Sequence, residues 1–134
     1  MNLVDTNIII DLLRADSPWR AWSEAQLLAA RHTGGLAINP VIYAELSAMP
    51  QTLEMLDGFL DTVGMTLAPL SKLSARLAGQ AFWAYRQRKG GQTGVLPDFF
   101  IGAQAQAEGW TLLTRDATRY RTYFPAVKLI SPVR

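Results

Sequence analysis

Met1-Asn2-Leu3-Val4-Asp5-Thr6-Asn7-Ile8-Ile9-Ile10-Asp11-Leu12-Leu13-Arg14 lays out a short apolar run, an acid and an apolar helix in quick succession. Leu3-Val4 reads as the end of a strand that stops at Asp5. Ile8 to Leu13 reads as a buried helix, broken by Asp11 and closed by Arg14. The same unit recurs downstream. Leu36-Ala37-Ile38 is a second short strand. Asn39-Pro40 is a cap followed by proline at the first helical position, and it opens a helix through Tyr43, Glu45 and Leu46 that Pro50 ends. Thr111-Leu112-Leu113 is another strand, followed by Asp116 and a helical turn from Thr118 to Tyr123.

The segments between these units carry their own signals. Ser17-Pro18 predicts a capped helix from Trp19 to about Arg31, stopped by Gly34-Gly35. Leu53, Leu56, Phe59 and Leu60 fall at helical spacing between Thr52 and Thr62. Met65 to Leu67 predicts a third strand. Ser71 caps a long helix with Leu73, Leu77, Ala81 and Tyr85 on one stripe. Its basic end, Arg86, Arg88 and Lys89, suits the helix dipole. Gly90 to Gly94 is the loosest segment. Pro97-Asp98 starts a helix rich in small and apolar residues from Phe99 to Ala107, stopped by Gly109, and Val127 to Ile130 is the last strand. Strands alternating with helices predict an α/β fold. Its central sheet should be mostly parallel and covered on both faces, in one domain over residues 1–134.

Composition bounds the chemistry. A chain of 134 residues can bury roughly two thirds of its unfolded surface, so it needs no staples. It has no cysteine, which removes disulfides, thiolate metal sites and thiol catalysis and suits a cytoplasmic setting. His32 is the single histidine, so mechanisms needing two imidazoles are out. The longest stretch between charges, His32 to Ala44, falls short of the ~18 apolar residues of a membrane span and contains Gly34, Gly35 and Pro40. Asp5 arrives with no basic segment before it, so no secretory leader and no membrane partner are expected.

The acids are the informative residues. In open parallel sheets, sites form at the carboxyl ends of strands. Asp5 and Asp116 follow strands, Asp98 begins a helix just after the Gly-rich loop, and Glu45 lies in the helix after the second strand. Singly, each has a bland reading as a cap or turn acid. Glu45 is the hardest to dismiss, because Val41, Ile42, Ala44 and Leu46 surround it and an acid on an apolar helix needs a partner. Together the four predict convergence on one rim. Two carboxylates ~4 Å apart repel by ~4 kcal/mol at an effective dielectric near 20, so such a cluster takes up protons or holds a cation. An all-oxygen donor set favours Mg²⁺ or Mn²⁺ and the metal-assisted hydrolysis of a phosphodiester. Thr6, Asn7 and Thr114 are candidate polar supports. Asp11 is the rival ligand, with solvent exposure or a pair with Arg14 as its plainer readings.

The cations fit that picture. Setting the four acids aside leaves 13 positive against 7 negative side chains, a surface of +6. Cations hold a phosphate backbone while acids hold the metal. Arg115 and Arg119 lie in a segment that interleaves basic and aromatic residues, and Arg86 and Lys89 flank the Gly-rich loop. These four are candidate contacts to a nucleic-acid backbone. Tyr120 reads as a core anchor. Trp19, Trp22 and Met49 to Leu60 read mostly as core, with a groove for a partner helix as the other option. Lys89-Gly-Gly-Gln-Thr-Gly94 is not a phosphate-binding P-loop, because the lysine precedes the glycines.

The opening Met1 to Asp11, with Pro40-Val-Ile-Tyr-Ala-Glu45-Leu, Leu96-Pro97-Asp98-Phe and Leu112-Leu-Thr114-Arg115-Asp116 with Arg119-Tyr120, resembles the PIN-domain ribonucleases, especially VapC-like toxins of bacterial toxin–antitoxin pairs. The resemblance runs the full length, and its specificity lies in four motifs in order. It implies a three-layer α/β/α fold and Asp5, Glu45, Asp98 and Asp116 as metal-binding and catalytic acids, supported by Thr6, Asn7 and Thr114. It also implies Mg²⁺ or Mn²⁺ as cofactor, an RNA substrate, a homodimer and a cognate VapB-like antitoxin that covers the site. Some relatives carry a further acid near the third or fourth motif, where this sequence has Pro97 and Arg115. An RNA-processing or structure-specific nuclease and a non-catalytic RNA-binding module are the alternative readings.

Overall fold

The computed structural model describes residues 1–88 and 93–132. Lys89 and most of the loose segment predicted at 90–94 lie outside the described residues. The elements run β1 (Asn2–Val4), α1 (Thr6–Leu13), α2 (Arg20–Gly34), β2 (Leu36–Ile38), α3 (Pro40–Ser47), α4 (Leu53–Val63) and β3 (Met65–Leu67). They continue as α5 (Lys72–Gln87), a 3-10 turn at Thr93–Val95, α6 (Leu96–Glu108), β4 (Thr111–Leu113), α7 (Thr118–Tyr123) and β5 (Leu129–Ile130).

The strands form one sheet in the order β3-β2-β1-β4-β5, and every pairing is parallel. Leu3 stands opposite Ala37 on one side and Leu112 on the other. Each residue of β1 and of β2 is buried, so side chains on both faces of the central strands are covered. That is the burial pattern of a sheet between two helical layers, as the alternation predicted. The edge strands β3 and β5 are more exposed. β5 is shorter than expected, because Val127 closes a turn onto the Phe124 carbonyl before pairing begins.

Local chemistry sets most boundaries. The side chains of Asn39, Thr52 and Ser71 accept from the backbone N–H groups of Ile42, Met55 and Ser74, capping α3, α4 and α5. Gly64 and Gly109 end α4 and α6 at positive φ. One signal misled. Ser17-Pro18 reads as the cap of α2, but the helix starts at Arg20 and has no side-chain cap. The Ser17 hydroxyl accepts from Trp19 N–H at 3.2 Å, ahead of the helix, and donates to Asp11 at 2.8 Å. Trp19 and Met55 are exposed while Leu56 and Leu60 are buried, so the residues read mostly as core divide between interior and surface.

Tight packing of α6 against the segment after α7 gives a testable consequence. A Cβ on Gly102 would fall 2.6 Å from Cε2 and 2.9 Å from Cγ of the buried Phe124 ring. Gly102→Ala is therefore expected to cost about 1–3 kcal/mol, even though alanine gains up to about 1 kcal/mol of helix propensity. Gly79→Ala on α5, where nothing lies within 4 Å of the added atom, keeps that gain. Urea denaturation of both variants reads the contrast. Equal stability of the two would mean that α6 shifts to make room.

Candidate active site

Strand order reverses direction around β1, with β2 on one side and the much later β4 on the other. The crevice beyond the carboxyl ends of β1 and β4 is thus the topological switch point, where parallel sheets place ligands. Asp5 and Thr114 are the first residues past those two strands. Their backbones stay in register, with Asp5 N–H donating to Leu113 O at 2.9 Å and Thr114 N–H to Ile130 O at 3.0 Å.

A cavity of about 240 Å³ opens at this crevice. Asp5, Thr6, Asn7, Ile10, Glu45, Asp98, Asp116 and Tyr120 line it. The four acids singled out from sequence, taken from four distant stretches, thus face one space. Asp5 is buried at its floor, Glu45 and Asp98 are half-buried, and Asp116 is exposed at the rim. Among the described residues no three of the acids are gathered tightly enough to enclose one ion as they stand. They stand around a cavity and not around a point.

Hydrogen bonds fix the floor. Asp5 caps α1, its Oδ1 accepting from Thr6 N–H at 2.7 Å. Its Oδ2 accepts from Thr114 Oγ1 at 2.8 Å, Tyr120 OH at 2.9 Å and, more distantly, Asn7 Nδ2 at 3.5 Å. Capping and cavity-lining are therefore the same residue's work. Thr6 Oγ1 donates to Glu45 Oε1 at 2.6 Å, tying α1 to α3. Asn7 bridges to the opposite loop, donating to Thr114 Oγ1 at 3.3 Å and accepting from Arg115 N–H at 3.1 Å. Thr114 Oγ1 accepts in turn from Asp116 N–H at 3.1 Å. Thr6, Asn7 and Thr114, expected as polar supports, all contact the acids or one another.

The cations are placed differently from the sequence reading. Arg115 forms a two-pronged pair with Asp11, Nε to Oδ2 at 2.6 Å and Nη2 to Oδ1 at 3.0 Å, and lies over the Trp19 ring. Asp11 is buried and also accepts from Ser17 and from Ser23. It neither lines the cavity, nor faces solvent, nor pairs with Arg14, which leaves the helix in extended backbone. Arg119 pairs with Asp98, Nη1 to Oδ2 at 2.6 Å. Arg86 lines a separate cavity with Phe82 and Trp83 on α5. Tyr120 is the residue sequence reasoning undervalued. It is a buried core anchor, as expected, but its hydroxyl reaches Asp5. The available signal was a tyrosine, not an apolar ring, in the helical turn after Asp116.

Burial pushes the Asp5 carboxyl up from 3.8 to about 6. The donors Thr114, Tyr120 and Thr6 work against this, and the Asp98 charge reinforces it. Asp98 is raised too, by burial first, against the opposing Arg119 and with the Asp116 charge adding to the rise. Burial and then the charges of Asp5 and Asp98 raise the Tyr120 phenol, keeping it a neutral donor. For Asp11, burial pushes upward, but bonds from Arg115, Ser23 and Ser17 prevail and hold it below its ordinary value.

These directions set a pH dependence. Below pH 3.8 Asp5 is protonated folded or unfolded. Between 3.8 and about 6 the folded chain holds that proton more tightly, so stability is gained on acidification and lost as pH rises through about 6. The gap corresponds to about 3 kcal/mol, and Asp98 adds in the same sense. Asp11 acts oppositely, but only below pH 3.8. Denaturation in chelator is expected to give a more stable protein at pH 5 than at pH 8. The reverse order would mean that Asp5 is solvated.

The donor set fits a hard divalent cation. It consists of carboxylate, hydroxyl and amide oxygens, with neither thiolate nor imidazole on the cavity wall. Burial first, and a neighbouring carboxylate second, disfavour the ionised forms of Asp5 and Asp98, and a cation in the cavity would favour them.

A parallel-sheet fold with acids gathered at this switch point defines the class, and residues 3–125 match the PIN domain. The chain belongs to the PIN-domain family. Among known proteins it is 31% identical over 132 residues to Ribonuclease VapC10 of Mycobacterium tuberculosis, covering 98% of this chain and 92% of that protein. Among solved structures it superposes on a chain of VapBC2 from Rickettsia felis bound to a promoter DNA fragment. The TM-score is 0.72 at 21% identity, covering 98% of each chain. A chain of DNA-bound VapBC from Salmonella typhimurium gives a TM-score of 0.71 at 16% identity, covering 97% of this chain and 96% of that one.

Proposed function

We propose that this protein is a divalent-metal-dependent endoribonuclease of the VapC toxin type, hydrolysing RNA phosphodiester bonds with one PIN domain spanning residues 1–134. The observation that carries this reading is the common cavity of Asp5, Glu45, Asp98 and Asp116 at the switch point of the sheet. The likeness to Ribonuclease VapC10 supports RNA as the substrate. The VapBC complexes among its structural relatives support a VapB-like antitoxin as partner. Homodimerisation and a cytoplasmic setting belong to the same reading. Among the described residues no helix is long and apolar enough to cross a membrane.

The chain's residues have distinct roles in it. Asp5, Glu45, Asp98 and Asp116 supply the carboxylates from which the ligands of Mg²⁺ or Mn²⁺ are drawn. When bound, the ion supplies Lewis-acid charge to the phosphodiester and lowers the pKa of the attacking water. Thr6 holds Glu45, and Thr114, Asn7 and Tyr120 hold Asp5, so the acids keep their orientation when substrate arrives. Incubation with mixed cellular RNA in Mn²⁺ is expected to give discrete fragments, and chelator is expected to abolish them. Equal cutting in chelator would overturn the metal dependence.

A further inference from the structure

No acid occurs between Asp61 and Asp98, and none follows Asp116. Residues 62–97 and 117–134 hold nine of the 13 cations, and they supply α5 and α7. The acidic cavity therefore borders on stretches whose formal charge is wholly positive. Several of these arginines lie on rings. Arg88 stands 6.0 Å from the centre of the Tyr123 ring, Arg119 5.9 Å from Tyr85 and Arg86 5.9 Å from Phe82. The rings touch in turn, Phe82 stacked on Tyr85 at 5.9 Å and Tyr85 edge-on to Tyr123 at 6.0 Å. All three are half-buried, so each keeps part of its surface open, and Arg86 and Arg88 are exposed. Arg119 Nη1 is bonded to Asp98 at 2.6 Å. The ledge thus begins at the cavity wall and runs outward to Arg88 at the end of α5.

We propose that this ledge of alternating guanidinium groups and aromatic rings is the track for an unpaired RNA strand leading to the cavity, and that it selects single strands over duplex. This rests on the nuclease reading above. Arg86 and Arg88 are exposed cations with no acid beside them in sequence, placed to hold phosphates. A guanidinium lying over a ring leaves its outer plane to a base, and the open parts of Tyr85 and Tyr123 offer further stacking surface. In a duplex both faces of each base are already stacked, so a duplex gains the charge contacts alone. An acidic polypeptide likewise has charge to offer and no base to stack. Arg119 fixes the inner end of the ledge at the cavity wall.

The test is fluorescence anisotropy of the full chain with a labelled, unstructured RNA oligonucleotide, alone and annealed to its complement, in chelator so that the probe stays whole. The single strand is expected to bind roughly tenfold more tightly than the duplex. Arg88→Gln is expected to lower the slope of log affinity against log salt by about 0.7 for the single strand. Tyr123→Leu is expected to weaken the single strand about fivefold or more and to leave the duplex unchanged. Arg31→Gln, on the exposed end of α2 at the opposite edge of the sheet, is expected to change neither. Equal affinity for the two forms, or equal effects of Arg88→Gln and Arg31→Gln, would overturn the proposal. So would polyglutamate that displaces the labelled strand as readily as unlabelled RNA does. Should Tyr123→Leu fail to fold by circular dichroism, the strand-to-duplex ratio and Arg88→Gln decide by the same criteria. A wild-type chain that cuts RNA in Mn²⁺ but shows none of these contrasts removes this inference alone. One that neither binds nor cuts RNA removes the nuclease reading with it.

Discussion

Asp5→Asn is expected to abolish RNA cleavage and, in the same molecule, to raise the stability of the metal-free fold. Asp5 is buried at the cavity floor and supplies the central negative charge. Losing the contribution of a bound cation removes several kcal/mol of transition-state stabilisation; about 4 kcal/mol is on the order of 10³-fold in rate. Stability moves the other way. Keeping Asp5 ionised at pH 8 costs about 3 kcal/mol, given its rise from 3.8 to about 6. Asparagine removes that cost and can still accept from Thr6 N–H. Its amide N–H groups must then face Thr114 and Tyr120, so part of the gain is returned, leaving about 1–2 kcal/mol. Cleavage assays and melts in chelator at pH 8 read both quantities. A variant that melts lower than wild type, or that still cuts, would refute this account of Asp5.

Arg115→Met carries the largest expected loss of stability. It leaves the Asp11 carboxylate, 2% exposed, with only the hydroxyls of Ser17 and Ser23. Stripping one partner from a buried pair costs about 3–5 kcal/mol, a large share of the 5–15 kcal/mol that typically holds a domain together. Adding Asp11→Asn in the same chain is expected to restore most of it, since the buried charge is gone and the serines keep an acceptor. Failure of the second substitution to rescue would show that Arg115 stabilises through its stacking on Trp19 instead. The single variant is also expected to cut poorly. The Arg115 N–H is bonded to Asn7, and the loop it anchors carries Thr114 and Asp116.

The boundary between what was legible in the sequence and what was not follows the range of the interactions. Asn39-Pro40, Thr52, Ser71 and Gly109 act on their own helices, so the elements they delimit could be read directly. The four acids could be read as a group because each follows a strand or begins or lies in a helix, and a parallel sheet brings such positions to one edge. Partnerships could not be read. Arg14 is the sequence neighbour of Asp11, yet Arg115, 104 positions away, holds it. Ser17 has the grammar of a cap and accepts from Trp19 N–H, but the sequence does not show that its proton goes to a buried carboxylate of the preceding helix. Arg115 and Arg119 look like free phosphate contacts until the fold delivers an acid to each.

The placement of β1 in mid-sheet has a temporal consequence. Its flank toward β4 stays unpaired until residues 111–113 join it, and Asp5 and Asp116 stand 116 − 5 = 111 positions apart. No partial length of polypeptide holding only the earlier strands can bring the acids face to face. On the proposed nuclease function, a chain interrupted before β4 is therefore expected to be inactive, because the cavity that its acids share has not yet formed.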